Sequence, residues 1–212
     1  MAKITTLKFA TRIKDKMAKL YFRYGAMNSG KSTAVLQVAH NYEERGMHVL
    51  LIKPAVDTKG NNQIISRLGA ERKVDILATP DIDLEKVIKQ WHKDVEPVSC
   101  VIADEAQFFT GSQIDQLLKI AVLHNIPVIC YGIRTDFQTK LFPGSLRLME
   151  LSHSLEELKT ICRCGKKAIF NGRKLDGVFI FKGDQVAIDG EQSIEYESLC
   201  AECYFRYRKS AV

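Results

Sequence analysis

Short apolar runs alternate with amphipathic segments through most of the chain. The runs at 20–24, 48–53, 98–104 and 127–132 predict β-strands. Apolar residues at helical spacing predict helices over 33–45, 84–91 and 111–124. Strands that alternate with helices indicate an α/β fold, with a parallel sheet covered by helices on both faces. The loops that follow the strands should then collect along one edge of the sheet.

A glycine-rich loop links the first predicted strand to the first predicted helix. It runs Gly25-Ala26-Met27-Asn28-Ser29-Gly30-Lys31-Ser32 and is followed by Thr33. Its glycines let successive N–H groups turn toward phosphate oxygens, and the helix adds the positive end of its dipole. In such a P-loop, Lys31 reaches the β- and γ-phosphates and the Ser32 hydroxyl ligates Mg²⁺. The loop predicts a nucleoside triphosphate site but leaves the phosphate acceptor open.

Two adjacent carboxylates, Asp104 and Glu105, end the apolar run at 98–104. In P-loop enzymes an acid at this point holds the water shell of Mg²⁺, and Asp104 fits that position. Glu105 has three interpretations. It can accept the proton of a hydroxyl acceptor, activate water in an ATPase, or be a solvated charge at a strand end. We favour a catalytic base, whether the phosphate acceptor is a hydroxyl group or water.

The six cysteines are of two kinds. Cys100 and Cys130 lie within apolar runs and are expected to be buried, reduced thiols. The other four form two close pairs, Cys162 with Cys164 and Cys200 with Cys203. Two such pairs, separated by turn and β residues, predict a zinc ribbon with four thiolate ligands. Disulfides are the alternative, which the lack of a secretory signal disfavours.

Composition describes a globular protein with one core and a small appendage. The chain has 212 residues, 46% of them hydrophobic, and a net charge of +6. Residues 1–19 hold six basic residues and one acidic residue, so the remainder is nearly neutral and no nucleic-acid partner is expected. No apolar run could cross a membrane, and the leader lacks the apolar region of a secretory signal. We therefore expect a cytoplasmic protein. Met17 is an alternative start before the first strand.

The order of the motifs identifies a family. After the P-loop come Lys53-Pro-Ala-Val-Asp57-Thr, Asp104-Glu105-Ala-Gln107-Phe108, Tyr131-Gly-Ile-Arg-Thr-Asp-Phe137-Gln-Thr-Lys-Leu-Phe142, Leu158-Lys-Thr-Ile-Cys162 and Tyr196-Glu-Ser-Leu-Cys200. From about residue 17 to residue 207 the chain closely resembles the type II thymidine kinases. The resemblance implies transfer of the ATP γ-phosphate to the 5′-hydroxyl of thymidine, in pyrimidine salvage for DNA synthesis. Deoxyuridine is a second expected substrate, since only one methyl group distinguishes it.

The resemblance also implies roles for single residues, with Glu105 at the general-base position. The positions implied for ATP and Mg²⁺ are Gly25, Ala26, Met27, Asn28, Ser29, Gly30, Lys31, Ser32, Thr33, Asp57, Asp104 and Gln107. Those implied for thymine and deoxyribose are Met27, Phe108, Phe137, Phe142 and Tyr196, with Tyr196 on a loop over the base. The implied zinc ligands are Cys162, Cys164, Cys200 and Cys203.

Several of these assignments have a structural alternative. The three phenylalanines could be ordinary core residues, because burying an aromatic ring is strongly stabilising. Met27 could simply shape the P-loop, and Tyr196 could pack on the zinc ribbon. Asp57 begins a run of turn-forming residues and could serve the turn alone.

The expected organisation has three parts. Residues 1–16 form a disordered basic arm, residues 17–158 a P-loop kinase domain, and residues 159–212 a zinc-ribbon domain with a substrate-covering loop around 190–196. The resemblance further implies a homotetramer and feedback inhibition by thymidine triphosphate. The competing class is a nucleic-acid-dependent P-loop ATPase, because the acidic motif is similar to that of helicases. The core, however, lacks a basic stripe.

Overall fold

A six-stranded parallel sheet forms the centre of the computed structural model, which describes residues 17–57, 62–186 and 193–210. The predicted arm at 1–16 and residues 190–192 of the base-covering loop lie outside these ranges. The strands are β1 (Leu20–Tyr24), β2 (Val49–Pro54), β3 (Gln63–Ile65), β4 (Glu71–Lys73), β5 (Ile76–Ala78), β6 (Cys100–Ala103), β7 (Val128–Gly132), β8 (Ser154–Glu157), β9 (Thr160–Ile161), β10 (Lys167–Ala168), β11 (Phe170–Leu175), β12 (Val178–Ile180) and β13 (Ile194–Leu199). The helices are α1 (Lys31–Glu43), α2 (Leu84–Asp94), α3 (Gly111–Leu123), α4 (Pro143–Leu151) and α5 (Ala201–Ser210).

The order of the central sheet is β5-β2-β6-β7-β1-β8, and all of its pairings are parallel. Strands β2, β6 and β7 are buried along their whole length. This burial matches their continuous apolar sequences, because both faces of a parallel sheet are covered. The α/β class and all four predicted central strands are confirmed.

Two apolar clusters cover the two faces of the sheet. On one face, α2, α3 and α4 contribute Leu84, Ile88, Ile114, Leu117 and Leu148 to a cluster with the strands. On the other face, α1 packs Val35 and Ala39 against the sheet together with Ile64 of β3. The predicted helices on both faces are therefore present.

Local capping sets where the helices begin. The Asp83 side chain accepts the Lys86 N–H at the start of α2. Thr110 and Gln113 form a reciprocal capping box at the start of α3. At α4, a Cβ on Gly144 would meet the Ala106 carbonyl oxygen at 2.4 Å, so only glycine allows this approach. Helix α4 thereby packs directly on the short 3₁₀ turn Ala106–Phe108, which follows the predicted catalytic carboxylate.

Several of the elements that sequence periodicity missed are short, exposed or polar. Strand β5 has three residues, and β8 is a largely exposed edge strand with the sequence Ser-Leu-Glu-Glu. Strands β3 and β4 form a separate antiparallel hairpin. Such segments lack the apolar pattern on which the strand predictions depended.

The C-terminal part has its own small core. A three-stranded antiparallel sheet has the order β12-β11-β13, and β9 pairs with β10 in a hairpin. Helix α5 packs on these strands around the buried residues Cys162, Ala168, Leu199, Cys200, Cys203 and Tyr204. The Tyr204 hydroxyl donates to the Phe137 carbonyl at 2.8 Å, which joins this core to a loop of the central sheet.

Candidate active site

Three loops meet at the carboxyl edge of the central sheet. The glycine-rich loop follows β1, Asp57 follows β2, and Asp104 with Glu105 follows β6. The prediction that the loops would collect at one edge is confirmed, and the site lies where parallel α/β sheets commonly bind ligands.

The glycine-rich loop is curled. Gly30 and Asn28 both have positive φ, at 78° and 65°. Gly25 has no space for a side chain, because an added Cβ would lie 2.6 Å from the Leu158 carbonyl oxygen. Lys31 is buried and its Nζ donates to the Ala26 carbonyl at 3.0 Å. The lysine therefore already points into the loop.

The carboxylate pair differs in environment. Burial raises the pKa of Asp104 to about 7, and the charge of Glu105 adds to this effect while Lys31 opposes it. Glu105 has a left-handed backbone, with φ 46° and ψ 39°, which is uncommon for a residue with a side chain.

Gln107 Nε2 donates to Glu105 Oε2 at 2.5 Å. Gln107 Oε1 accepts the Ile133 N–H at 3.1 Å. Gln107, predicted among the nucleotide positions, thus contacts Glu105 directly.

A cavity of about 160 Å³ adjoins the P-loop. Oxygen-bearing side chains from three loops line it, those of Ser32, Asp57, Asp104 and Glu105. Lys53 also lines it and forms a buried ion pair with Asp57 at 2.8 Å. Carboxylate and hydroxyl oxygens are suitable ligands for Mg²⁺, so the donor set fits this metal.

A second cavity, of about 130 Å³, lies beside the first and is lined by aromatic and aliphatic side chains. All five residues predicted to enclose the nucleoside line it: Met27, Phe108, Phe137, Phe142 and Tyr196. The rings of Phe108 and Phe142 meet edge to face with centroids 5.4 Å apart. Phe137 and Phe142 are also buried, so they serve the core as well as the cavity wall.

Asp57 and Glu105 line both cavities. The Glu105 carboxylate therefore stands between the space next to the P-loop and the apolar pocket.

Several polar residues of the pocket were not predicted from the sequence. Asn171 is buried, accepts the Met27 N–H at 2.7 Å and donates to the Thr135 carbonyl at 2.8 Å. Asp136 accepts the Gln185 side chain at 3.1 Å, and both residues line the pocket. No motif marks β11 or residues 184–186. A buried asparagine or aspartate has no periodic signal and is found only when the fold brings its partners together.

The four predicted zinc ligands come together. Their sulfur atoms lie within 4.8 Å of one another, and Cys164 Sγ is 3.5 Å from Cys200 Sγ. A tetrahedral zinc–thiolate site, with bonds of about 2.3 Å, requires sulfur atoms about 3.8 Å apart, so the set could bind zinc. All six cysteines are free thiols, and Cys100 and Cys130 are buried as predicted.

These cysteines link the hairpin of β9 and β10 to the junction of β13 and α5. Strand β13 carries Tyr196 in the pocket wall and ends immediately before Cys200. The Ser198 hydroxyl on the same strand donates to the Met27 carbonyl in the P-loop. The cysteine cluster is therefore connected to both the pocket and the P-loop through one strand.

The fold and the site together have the features of a P-loop α/β protein with an adjoining apolar pocket. The sequence model of the thymidine kinase family matches residues 18–204. The chain is 45% identical over 186 residues to the thymidine kinase of Enterobacteria phage T4, covering 87% of this chain and 94% of the phage protein. It is 48% identical over 186 residues to the thymidine kinase of Idiomarina loihiensis, which covers 87% of this chain and 94% of that protein. It is 45% identical over 195 residues to the thymidine kinase of Legionella pneumophila (strain Paris), which covers 91% of this chain and 90% of that protein. The chain belongs to the thymidine kinase family.

None of the helices in the ranges 17–57, 62–186 and 193–210 has the length and apolar character that a bilayer crossing requires.

Proposed function

We propose that Glu105 is the general base in the reaction of this thymidine kinase, the transfer of the ATP γ-phosphate to the 5′-hydroxyl of thymidine. The enzyme class follows from the family. The observation that carries the mechanism is the position of Glu105, which lines both the cavity at the P-loop and the apolar pocket. A nucleoside hydroxyl at the boundary of the two cavities would lie next to this carboxylate.

The chemistry requires a proton acceptor, because a neutral alcohol is a poor nucleophile. As the 5′-oxygen bonds to the γ-phosphorus, the bond from that phosphorus to the oxygen of ADP breaks. The hydroxyl proton moves to Glu105. The hydrogen bond from Gln107 holds one carboxylate oxygen, which restricts the rotamers of Glu105 and directs the other oxygen.

The P-loop would bind the triphosphate, and residues of the first cavity would bind Mg²⁺. Lys31 and the N–H groups of residues 25–33 would contact the β- and γ-phosphates. Ser32, Asp57 and Asp104 supply the oxygens that would hold Mg²⁺, directly or through water. The bound ion would neutralise charge on the phosphates.

The apolar pocket would bind the nucleoside. Its rings suit the faces of a pyrimidine, and the buried polar side chains of Asn171 and Asp136, with the partly buried Gln185, suit the polar edge. Because one methyl group in such a pocket contributes about 1–3 kcal/mol, we expect deoxyuridine to be a weaker substrate than thymidine.

The cysteine cluster is proposed to hold structural Zn²⁺. Four thiolates close a tetrahedral site and leave no position for substrate. We propose that residues 17–158 form the kinase domain and 159–212 a zinc-ribbon domain, as expected from the sequence.

Assembly and regulation are proposed from the family resemblance. We expect a cytoplasmic homotetramer that acts in pyrimidine salvage. Thymidine triphosphate is the expected feedback inhibitor, because it combines the base that fits the apolar pocket with the triphosphate that fits the P-loop.

The direct test is to incubate the purified protein with Mg²⁺ and ATP and with thymidine, deoxyuridine, deoxycytidine, deoxyadenosine or DNA. The expected result is thymidine monophosphate formed in step with ADP, and a smaller yield from deoxyuridine. ADP formation driven by DNA without a nucleotide product would instead indicate a nucleic-acid-dependent ATPase.

A further inference from the structure

Arg173 is a buried cation directly behind the wall of the nucleoside pocket. It lies on β11 and is 3% exposed. Its guanidinium carbon is 3.8 Å from the centre of the Phe137 ring, a distance at which cation–π attraction is strong. Phe137 lines the pocket, whereas Arg173 does not. Arg173 therefore supports the wall from outside the cavity.

The same guanidinium holds two other parts of the wall. Its terminal nitrogens donate to the carbonyls of Asp184 at 2.7 Å and Gln185 at 2.8 Å. Its Nε donates to the Tyr196 hydroxyl at 3.0 Å. Gln185 and Tyr196 both line the pocket. One side chain thus connects three wall residues that are far apart in the sequence.

We infer that Arg173 is a positioning residue that sets the affinity for thymidine by fixing Phe137, Gln185 and Tyr196 in place. The inference rests on the proposed function of the pocket. A planar guanidinium can stack on a ring and donate in several fixed directions at once, which the ammonium group of lysine cannot do. None of its described contacts reaches the P-loop, so the affinity for ATP should not depend on it.

Lys174 provides a matched control on the same strand. Its ammonium lies 2.5 Å from Glu197 Oε2 and 4.8 Å from the centre of the Phe179 ring, and its side chain is 13% exposed. Neither partner lines the nucleoside pocket. Lys174→Met therefore removes a largely buried cation, its ion pair and its ring contact while leaving the pocket wall unchanged.

The experiment compares the full-length wild type with Arg173→Met, Arg173→Lys and Lys174→Met. For each protein, KM is measured separately for thymidine and ATP, and thymidine Kd is measured by calorimetry without ATP. We expect both Arg173 variants to raise KM and Kd for thymidine at least tenfold, with KM for ATP changed less than twofold. Lys174→Met should change each value less than twofold.

Three outcomes would overturn the inference. The first is an unchanged KM and Kd for thymidine in Arg173→Lys. The second is a KM for ATP that rises as much as the KM for thymidine, and the third is a KM for thymidine that rises as much in Lys174→Met as in the Arg173 variants.

If Arg173→Met does not fold, Arg173→Lys and Tyr196→Phe carry the test, because each removes the bond from Arg173 to the Tyr196 hydroxyl. Their effects on thymidine Kd should then be less than multiplicative in the double variant, and independent effects would count against the inference. A wild type that forms no thymidine monophosphate refutes the proposed function instead, while calorimetry still reports whether Arg173 affects thymidine binding.

Discussion

Glu105 combines an unusual backbone conformation with a fixed side chain. Its left-handed φ of 46° costs energy for a residue with a Cβ, and such conformations persist where surrounding contacts enforce them. The Glu105 N–H donates to Asp104 Oδ1 at 2.9 Å, and its carboxylate accepts from Gln107. Both contacts hold the carboxylate at the boundary between the two cavities.

Replacing Glu105 by glutamine tests its proposed role as a base. The amide has nearly the same shape but cannot accept the hydroxyl proton, so kcat should fall about 10²–10⁴-fold. The KM for ATP and that for thymidine should change little. Steady-state kinetics measures all three constants, and Glu150→Gln, an exposed carboxylate on α4, is the control. Normal turnover in Glu105→Gln would rule out the assignment.

Asp104 gives a prediction about pH and stability. Its pKa is raised from 3.8 to about 7, chiefly by burial, so between pH 4 and pH 7 the folded protein retains a proton that the unfolded chain has lost. The free energy of unfolding should therefore decrease as pH rises through this window. Asp104→Asn stays neutral and should melt about 3–8 °C above the wild type at pH 8, without Mg²⁺ or nucleotide, although its turnover is impaired. Melting curves from pH 4 to pH 8 test this. Parallel pH profiles for the two proteins would contradict it.

At the scale of elements, the P-loop has a defined curl. Its positive φ angles and the inward Lys31 are local features of residues 25–31, whereas Gly25 is crowded by the Leu158 carbonyl as well. Such a curl can direct backbone N–H groups at a phosphate. The helix dipole of α1 then adds to the attraction.

Lys31→Ala should impair both ATP binding and catalysis. Removing the ammonium takes away a charge that contacts the phosphates in the ground state and the transition state, so KM for ATP should rise at least tenfold and kcat should fall at least 10²-fold. Thymidine Kd, measured by calorimetry, should stay within twofold. Lys89→Met on the surface of α2 is the control. A Lys31 variant with normal ATP kinetics would refute the assignment of the loop.

Elements with an apolar pattern in their own sequence were predicted better than elements that form by pairing with distant segments. Strands β1, β2, β6 and β7 are short apolar runs and helices α1, α2 and α3 have apolar residues at helical spacing, and the bounds of all seven were predicted closely. Strand β11, with the sequence Phe-Asn-Gly-Arg-Lys-Leu, shows no such pattern, and it becomes a strand by pairing with β13. Asn171 and Arg173 on this strand were therefore not predicted. Their hydrogen-bond partners also lie more than ten residues away in the sequence.

For the whole molecule, the pocket depends on contacts between the central sheet and the C-terminal core. Met27 and Phe108 follow β1 and β6, whereas Asn171 and Tyr196 come from β11 and β13. The motifs and their family resemblance predicted the apolar residues of the site. They could not predict which polar groups the docking of the C-terminal strands would bring to the same cavity.

Removing a cysteine ligand should therefore affect thymidine more than ATP. Cys203→Ser is expected to lose zinc, to melt several degrees lower and to have a raised KM for thymidine, because β13 ends in the cysteine cluster. Metal analysis, melting curves and kinetics measure these effects. Cys100→Ala, at a buried thiol outside the cluster, should keep its zinc and its thymidine KM. Wild-type melting and kinetics in Cys203→Ser would exclude a structural role for the cluster.

The link from the cysteine cluster to the pocket has a consequence for cells under oxidative stress. Cys164 is the exposed member of the cluster, so it is the sulfur that peroxide or an electrophile would reach first. Modification there would release a metal bound by the cluster, and because β13 carries Tyr196 of the pocket wall, binding of the nucleoside would be weakened. Formation of thymidine monophosphate would then fall, and thiol reductants together with zinc would restore it.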